Sequence, residues 1–531
     1  MEEREREKTG IRDMEKDRWI VKVSPEMAAP SLKDNRGDVD RLLGGLRKAL
    51  DGGEVSIDFG LAKRIPSTLR EYGYELQAVL YKDTYSWHLV ELFPSGLEGP
   101  IYGLAADLGT STVVIRLLDL TTGETKDESS FLNPQLEVGQ DILARIHFAA
   151  EKEGLARLKR CLIDRLNEEM AQLAQRNNFG TASLVGMCVS GNTTMTHLFL
   201  GLDPFWICRE PYIPAMNRPD LIKAAELGVA LNPESPVMVI PNVGSYLGGD
   251  LISGILASGM THQDEISILM DVGTNAEVVL GNREWLMGCA GAAGPALEGG
   301  VARMGMMAGP GVIDQVIADP ETGEFRIRTI ENKSPVGICG SGLIDLVAQL
   351  FLAGMIDLRG KYVESKCGRR LKEVDGVNHF VLVSSQDSGT GQELTLSQPD
   401  IDALIRSKAA MYTILTTITR MVNVSIKEIR NFYIAGTFGS YIDAQSAITI
   451  GMIPDLAPET YKPLGNTSLN GASMALLSAK AKEEIYEIRD RLTYIELNVN
   501  QEFMNLFSAA KFIPHTDNAL FPSVRPWSST G

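Results

Sequence analysis

The chain has 531 residues, more than the roughly 100 to 200 of an ordinary single domain, so we expect two to four packing units. Hydrophobic residues make up 44% and charged residues 22% of the sequence, a balance that excludes a disordered or fibrous protein. The net charge of -17 disfavours nucleic acid as a partner, because phosphate backbones are bound mainly by Lys and Arg. Nucleotides stay possible ligands, since backbone N–H groups and Mg²⁺ supply positive potential locally.

The N-terminus and the cysteines bear on where the protein acts. Residues 2–7 are charged where a signal peptide would be apolar, and no apolar run reaches the ~18 to 20 residues that cross a bilayer. This predicts a cytoplasmic protein without membrane contact. The six cysteines include no C-x-x-C pair and no ferredoxin-type cluster, so we expect reduced, mostly buried thiols and no iron–sulfur cluster in this chain. They are Cys161, Cys188, Cys208, Cys289, Cys339 and Cys367.

The first part of the chain divides into a tail and a small domain. Residues 1–18 are almost all charged or polar, which predicts a charged tail. Residues 19–98 alternate strand and helix patterns, which predicts a small α/β domain. Its predicted elements are a strand at 19–23, helices at 39–50 and 61–72, and strands at 76–80 and 88–93.

The first Gly-rich turn lies between two apolar strands and reads Asp107-Leu-Gly109-Thr110-Ser111-Thr112. Glycine lets the backbone approach phosphates, and the N–H and hydroxyl groups can donate to phosphate oxygens. Asp107 can hold Mg²⁺ through water. Taken alone, the pattern fits an ordinary β-hairpin equally well.

A second turn, Asp271-Val-Gly273-Thr274-Asn275, repeats the pattern with the same apolar flanks. Two such hairpins facing each other across a cleft can grip phosphates from both sides and share one Mg²⁺, mainly through water. Asp107 and Asp271 are therefore the predicted metal-binding and catalytic residues. The repeat also predicts two related halves, residues 99–265 and 266–531.

These turns resemble the phosphate motifs of the superfamily that contains actin, heat-shock chaperones, sugar kinases and acetate kinase. Residues 241–250 and 465–475 resemble its connecting helices, and residues 432–441 resemble its adenosine motif. The resemblance implies an actin-like ATPase fold of two related ribonuclease-H-like halves around a nucleotide cleft, preceded by the small α/β domain. It adds Asp250 to the catalytic residues. The implied ATP-binding residues are Gly109, Thr110, Ser111, Thr112, Gly273, Thr274, Asn275, Gly436, Thr437 and Gly439.

Other stretches resemble one family within that superfamily, the ATP-dependent reductive activators of corrinoid-dependent methyltransferases and of the corrinoid iron–sulfur protein. The stretches are 133–145, 189–195, 289–299 and 337–345, and the small domain is similar to the middle domain of those activators. A generic ATPase has no reason to match at 133–145 or 289–299. Contact with a partner protein is the predicted use of these two segments.

The resemblance implies an ATP-hydrolysing activator that drives a corrinoid protein of a methyltransferase system from Co(II) to Co(I), acting as a homodimer with ATP and Mg²⁺. Family members typically carry an iron–sulfur domain, which this sequence does not show. The expected electron source is therefore a separate low-potential iron–sulfur donor. The alternative is a small-molecule kinase of the same superfamily, which would need a carboxylate base near a polar pocket.

Three aspartates, Asp141, Asp250 and Asp345, lie where helices are expected to begin. Asp is common at helix N-caps, where its carboxylate accepts from backbone N–H groups, so a capping role is the first interpretation of each. Of the three, only Asp250 is expected near the nucleotide.

Overall fold

The computed structural model describes residues 17–96, 99–273, 276–291, 302–436, 442–496 and 501–526, with side chains from 504 onward in the last range. The chain divides into two compact units. The first contains Met1–Ala257 and Ser468–Asp490, and the second contains Ser258–Thr467 and Arg491–Gly531. Among the described residues, none of the helices combines the length and apolar character that a membrane span needs.

The first unit begins with a small four-stranded sheet in the order β1-β3-β4-β2. Its elements are β1 (Ile20–Val23), α1 (Asp38–Ala49), β2 (Val55–Ser56), α2 (Phe59–Ala62), α3 (Ile65–Glu71), β3 (Leu76–Lys82) and β4 (Trp87–Pro94). The strands predicted at 19–23, 76–80 and 88–93 and the helix predicted at 39–50 are confirmed. The helix predicted at 61–72 is confirmed over residues 65–71, with Pro66 in its first turn, whereas Leu61 and Ala62 belong to the separate helix α2 that Asp58 caps.

The first unit continues with a six-stranded sheet in the order β7-β6-β5-β8-β10-β9. The strands are β5 (Tyr102–Leu108), β6 (Thr112–Asp119), β7 (Thr125–Leu132), β8 (Leu184–Gly191), β9 (Ile222–Lys223) and β10 (Pro236–Val239). The helices are α4 (Ile142–Ala149), α5 (Gly154–Arg176), α6 (Thr193–Leu200), α7 (Ala224–Leu227) and α8 (Gly249–Ser258). Strand β8 is buried along its whole length, as expected for a central strand covered on both faces.

The second unit contains a six-stranded sheet and two three-stranded sheets. The large sheet has the order β21-β20-β11-β12-β13-β22, and the small ones have the orders β15-β14-β16 and β17-β18-β19. Strands of the large sheet are β11 (Ser267–Val272), β12 (Ala276–Gly281), β13 (Leu286–Gly291), β20 (Asn431–Ala435), β21 (Tyr461–Gly465) and β22 (Leu492–Tyr494). Strands of the small sheets are β14 (Val312–Ala318), β15 (Phe325–Thr329), β16 (Gly337–Ile338), β17 (Leu371–Val374), β18 (Val377–Val383) and β19 (Leu394–Ser397).

The remaining helices complete both units. They are α9 (Gly340–Leu352), α10 (Glu364–Cys367), α11 (Gln398–Met421), α12 (Ala444–Ile450), α13 (Thr467–Leu477), α14 (Ala479–Arg491) and α15 (Gln501–Ala510). Helix α11 is buried over most of its length in the core of the second unit. Most of α13 and α14 belong to the first unit, so the chain returns there before it ends in the second.

Five strands of the two large sheets share one topology. In the first unit β5 pairs antiparallel with β6 and parallel with β8, which pairs parallel with β10. In the second unit β11 pairs antiparallel with β12 and parallel with β20, which pairs parallel with β21. The sixth strand differs, because β9 is next to β10 and β22 is next to β13. Five strands in the same order confirm the predicted actin-like fold of two related halves.

The small domain packs directly on the rest of the first unit. Trp19 is 2% exposed, and its indole Nε1 donates to the Ala475 carbonyl oxygen at 2.8 Å. The Lys482 ammonium lies 4.2 Å from the centre of the same ring. A Cβ added to Gly186 of β8 would lie 2.3 Å from the Ile20 Cδ1 atom, so the Ile20 side chain of β1 occupies the space above this glycine. Strand β1 is thus held to both β8 and α13.

Replacing Trp19 by Ala should weaken this attachment. Removing a buried Trp side chain typically lowers stability by about 3–5 kcal/mol. We expect hydrogen exchange of β1 and β3 amides to show a loss of protection of this size. Tyr85→Ala is the control, because the Tyr85 side chain in the neighbouring turn is 88% exposed. Equal protection in Trp19→Ala and the wild type would contradict this role.

Candidate functional site

Asp107 lies at the centre of the first large sheet. It is the penultimate residue of β5 and pairs with Val114 of β6 on one side and with Ser190 of β8 on the other. The turn to β6 follows at once. A Cβ on Gly109 would lie 2.3 Å from the Thr112 carbonyl oxygen, so only glycine fits there.

Side chains from two other segments bind the carbonyl groups of this turn. The Asn133 amide Nδ2 donates to the Gly109 carbonyl oxygen at 2.9 Å. The Arg145 guanidinium donates to the Thr110 carbonyl oxygen at 2.6 Å. Both side chains belong to buried residues, with Asn133 1% and Arg145 0% exposed. The carbonyl side of the turn is therefore fixed against the protein interior.

The N–H side of the turn is available to a ligand. In the described part of the chain, the N–H groups of Thr110 and Ser111 have no protein acceptor. Asn192 Nδ2 donates to the Thr110 hydroxyl oxygen at 3.1 Å, which leaves the hydroxyl proton able to donate. Thr112 begins β6 and pairs with Leu132. The donor set at Thr110 and Ser111 fits phosphate oxygens.

A chain of serine hydroxyls leads to the Asp107 carboxylate. Ser468 Oγ lies 2.7 Å from Asp107 Oδ1 and 2.9 Å from Ser190 Oγ, which lies 2.9 Å from Ser253 Oγ. An ionised carboxylate only accepts, so Ser468 donates its proton to Asp107. Ser190 must then donate to Ser468, and Ser253 to Ser190. Helices α8 and α13 thereby help to orient Asp107.

Asp250 lies in the first turn of α8, next to the first hairpin. Its Oδ1 atom accepts from the Leu251 N–H group at 2.9 Å. A Cβ on Gly248 would lie 2.5 Å from the Asn192 Cα atom and 2.5 Å from Asp250 Oδ1. This segment therefore packs on Asn192, the residue that hydrogen-bonds Thr110, and the structure brings Asp250 and the first turn together.

Asp271 has the equivalent position in the second unit. It is the penultimate residue of β11 and pairs with Glu277 of β12 and Ala435 of β20. Gly436 follows β20 with a φ of 82°, and a Cβ there would lie 3.1 Å from Asp271 Oδ1. Gly273 directly follows β11. The structure thus brings Asp271 and Gly436 together.

Four of the predicted ATP-binding residues have no structural test. Thr274, Asn275, Thr437 and Gly439 lie outside the described residues.

Several site residues were missed by the sequence interpretation. Glu277 is directly opposite Asp271, where the first hairpin has Val114, so the second hairpin carries a further carboxylate. Asn192 and Arg145 lie in stretches noticed only for their family resemblance. Ser468 is in the segment interpreted as a connecting helix. Each of these residues is polar and lies in an otherwise apolar or Gly-rich stretch. This contrast is the sequence feature that could have indicated a role in the site.

The N-cap interpretation holds for one aspartate and fails for another. Asp141 caps α4, because its Oδ1 atom accepts from the Ala144 N–H group at 2.8 Å. The N-cap interpretation of Asp345 is wrong, because this residue lies inside α9 and is 3% exposed. Its carboxylate accepts from the Val316 N–H group at 3.2 Å. The helix begins earlier than expected, at Gly340.

Three parts of the chain match models of one protein family. Residues 265–525 match the C-terminal domain of RACo, the ASKHA domain, residues 102–263 match the RACo middle region, and residues 11–99 match the RACo linker region. The corrinoid activation enzyme RamQ of Eubacterium limosum is 30% identical over 471 residues, which are 87% of this chain and 78% of that protein. The chain belongs to the RACo family.

Two other relatives agree with this family. The [Co(II) methylated amine-specific corrinoid protein] reductase of Methanosarcina barkeri is 24% identical over 445 residues, or 77% of this chain and 76% of that protein. The solved structure of a reductive activator for corrinoid, iron-sulfur protein is 38% identical, with a TM-score of 0.88 over 96% of this chain and 81% of that one. The C-terminal ASKHA domain makes this RACo-family member an ATP-dependent enzyme.

The segment 133–145 is buried at three of its family-specific residues, since Asn133, Gln135 and Arg145 are at most 1% exposed. These three side chains support the Gly109–Thr110 turn from inside. Glu137, Gln140, Asp141 and Leu143 are exposed, so contact of this segment with a partner protein stays a prediction. The segment 289–299 is described only as far as residue 291.

Removing the Ser468 hydroxyl should slow ATP hydrolysis. Ser468→Ala takes a hydrogen bond from Asp107, and losing a bond to a charged group typically costs about 1.5–3 kcal/mol, or roughly 10- to 100-fold in kcat. Ser473→Ala is the matched control, because both serines are 7% exposed and lie on α13, while Ser473 Oγ donates to the Leu469 carbonyl oxygen. Equal kcat values in the two variants would show that the contact with Asp107 is irrelevant.

Replacing Asp345 by Asn should change how stability depends on pH. Burial raises the pKa of Asp345 from 3.8 to about 6, so the folded chain holds a proton that the unfolded chain releases between these values. The stabilising contribution is complete below about pH 4 and is lost as the pH rises through about 6. We expect Asp345→Asn to gain stability over the wild type between pH 4 and 7, by about 1–3 kcal/mol. Thermal unfolding of both proteins across this range measures it, and a pH-independent difference would contradict the proposed protonation.

Proposed function

We propose that the chain hydrolyses ATP to drive a corrinoid protein from Co(II) to Co(I), with the electron supplied by a separate low-potential iron–sulfur protein. The observation that carries this proposal is the family match from residue 11 to residue 525. The names of two relatives, a corrinoid activation enzyme and a Co(II) corrinoid protein reductase, support the reaction.

The two hairpins are the proposed phosphate-binding elements. Thr110 and Ser111 would donate to phosphate oxygens through their backbone N–H groups, as their geometry favours. Gly436 leaves room beside Asp271, because a side chain at this position would place its Cβ only 3.1 Å from the carboxylate. Gly109, Thr112 and Gly273 complete the described part of the proposed ATP site.

Asp107, Asp250 and Asp271 are the proposed catalytic carboxylates. Asp107 is oriented by Ser468, and Asp271 is directly opposite Glu277. Like charges directly opposite in a sheet are unfavourable, so a cation near Asp271 would be stabilised there. Bound mainly through water by Asp107 and Asp271, Mg²⁺ would neutralise phosphate charge.

Hydrolysis would contribute binding free energy rather than electrons. The cobalt centre gains one electron and the donor loses one, while ATP and water yield ADP and phosphate. For a one-electron couple, 59 mV corresponds to a tenfold change in the equilibrium constant. Differential binding of the Co(I) and Co(II) states by an ATP-dependent conformation can therefore shift the apparent potential.

We propose an electron donor outside the chain, because the spacing of the cysteines in the sequence predicts no iron–sulfur cluster. Burial raises the pKa of the Cys188 and Cys289 thiols well above their usual range, and that of Cys367 to about 11. Thiols buried in this way are typical of structural cysteines.

Other parts of the proposal rest on the family resemblance. We propose a cytoplasmic homodimer in a methyltransferase system, and we propose domain boundaries at 18/19, 98/99 and 265/266. The kinase alternative is not favoured, because both named relatives act on corrinoid proteins.

An anaerobic assay of a Co(II) corrinoid protein tests the reaction. With ATP, Mg²⁺ and a reduced iron–sulfur donor, the visible spectrum should change to that of Co(I) when the chain is present. Asp107→Ala should abolish both this change and ATP hydrolysis. Asp402→Asn, which removes an exposed ion pair with Lys361 in the second unit, should leave both within about twofold of the wild type.

Two results would contradict the proposal. Co(I) formation at the same rate without ATP or without the chain would show that no activator is needed. Co(I) formation with ATP but without an added donor, together with stoichiometric iron in the purified chain, would place the electron source in the chain itself.

A further inference from the structure

Arg145 is a buried cation beside the first phosphate turn. The residue is 0% exposed, and its guanidinium donates to the Thr110 carbonyl oxygen at 2.6 Å. Its other contacts are the Gly139 carbonyl oxygen at 3.0 Å, the Gln135 Oε1 atom at 3.3 Å and the Met195 sulfur at 3.2 Å. All four partners are uncharged.

No carboxylate among the described residues forms an ion pair with this guanidinium. Burial lowers the pKa of Arg145 to about 10, and the charges of Cys161 and Asp141 oppose this shift. The side chain therefore remains protonated at neutral pH. The interior therefore holds a full positive charge. Only Thr110, whose carbonyl oxygen the guanidinium contacts, separates this charge from the proposed phosphate site.

A second buried arginine shows the usual arrangement. Arg41 in the small domain is 2% exposed, and it forms an ion pair with Asp34 at 2.6 Å. Buried charges are normally paired in this way, because an uncompensated charge in a low-dielectric interior is destabilising. The lack of a protein counter-ion at Arg145 needs another explanation.

We propose that Arg145 is a positioning residue whose fixed charge selects polyphosphate at the first hairpin, the ligand itself being the counter-anion. The inference rests on the proposed ATP site and deepens it. Asn133 and Arg145 hold the same turn through neighbouring carbonyl oxygens, but only Arg145 brings charge. The attraction therefore grows with the number of phosphates and vanishes for an uncharged nucleoside.

Binding of ATP, ADP, AMP and adenosine, measured without Mg²⁺ so that each phosphate adds charge, tests this inference. Arg145→Gln removes the charge and keeps an amide donor at about the position of the arginine Nε atom, which donates to the Gly139 carbonyl oxygen. We expect its ATP affinity to fall about tenfold, with a smaller loss for ADP and less than twofold for adenosine. Arg145→Lys keeps the charge but not the planar fork of donors, and its loss of ATP affinity should be smaller than that of Arg145→Gln.

Asn133→Ala is the matched control for turn geometry. It removes a hydrogen bond to the same turn without changing any charge. Its loss of affinity should therefore not increase with the number of phosphates in the ligand. The affinity of the wild type, Arg145→Lys and Asn133→Ala for ATP should fall with added KCl, and that of Arg145→Gln should fall less steeply.

If Arg145→Gln does not fold, Gln135→Glu replaces it. This substitution places a carboxylate where the Gln135 amide oxygen lies 3.3 Å from the guanidinium, which neutralises the charge while Arg145 remains. It also removes the hydrogen bond from Gln135 Nε2 to the Leu158 carbonyl oxygen, so its loss of affinity is compared between nucleotides and not with the wild type alone. We expect the same graded loss of affinity.

Two findings would overturn the role of the charge: wild-type ATP affinity and salt dependence in Arg145→Gln, or equal impairment of Arg145→Gln and Arg145→Lys. The role of the charge would also be overturned if Gln135→Glu, like Asn133→Ala, lost the same affinity for ATP, ADP, AMP and adenosine. A wild-type chain that binds no ATP would instead refute the proposed function, so the two failures are distinguishable.

Discussion

The orientation of one backbone turn is the constraint on which the site depends. A peptide presents a carbonyl oxygen and an N–H group in opposite directions, so a turn that offers N–H groups to an anion must place its carbonyl oxygens against the protein. At Gly109 and Thr110 these carbonyl oxygens are bound by Asn133 and Arg145. The buried polar residues Asn133 and Arg145 of segment 133–145 are explained by this requirement, because their side chains supply the donors that those carbonyl groups need.

The two hairpins share a topology but differ in chemistry. Asp107 is flanked by Val114 and Ser190, and its carboxylate accepts from Ser468. Asp271 is flanked by Glu277 and Ala435. The first aspartate therefore accepts from a serine hydroxyl, and the second has a carboxylate directly opposite it in the sheet.

The hydrogen-bonded serines connect Asp107 to α8 and α13, the two helices at which the polypeptide passes from one unit to the other. Ser253 lies in α8, which ends as the second unit begins, and Ser468 is the first residue after the chain returns. A change at Asp107 has a short hydrogen-bonded path to each of these helices.

Local patterns were sufficient for the fold and for half of the site. Apolar strands around Asp107 and Asp271 predicted both hairpins, because strand alternation and the demand for glycine in a tight turn are properties of a few consecutive residues. The helix at 39–50 followed from its leucine spacing in the same way.

Only the tertiary structure decided which side chains complete the site. Ser468 contacts Asp107 across 361 positions, and Arg145 reaches Thr110 from a different segment. Glu277 became a site residue only through the register of β11 and β12, and Asp345 proved to be buried inside α9. Such contacts depend on strand order and packing between remote segments, which no local period in the sequence encodes.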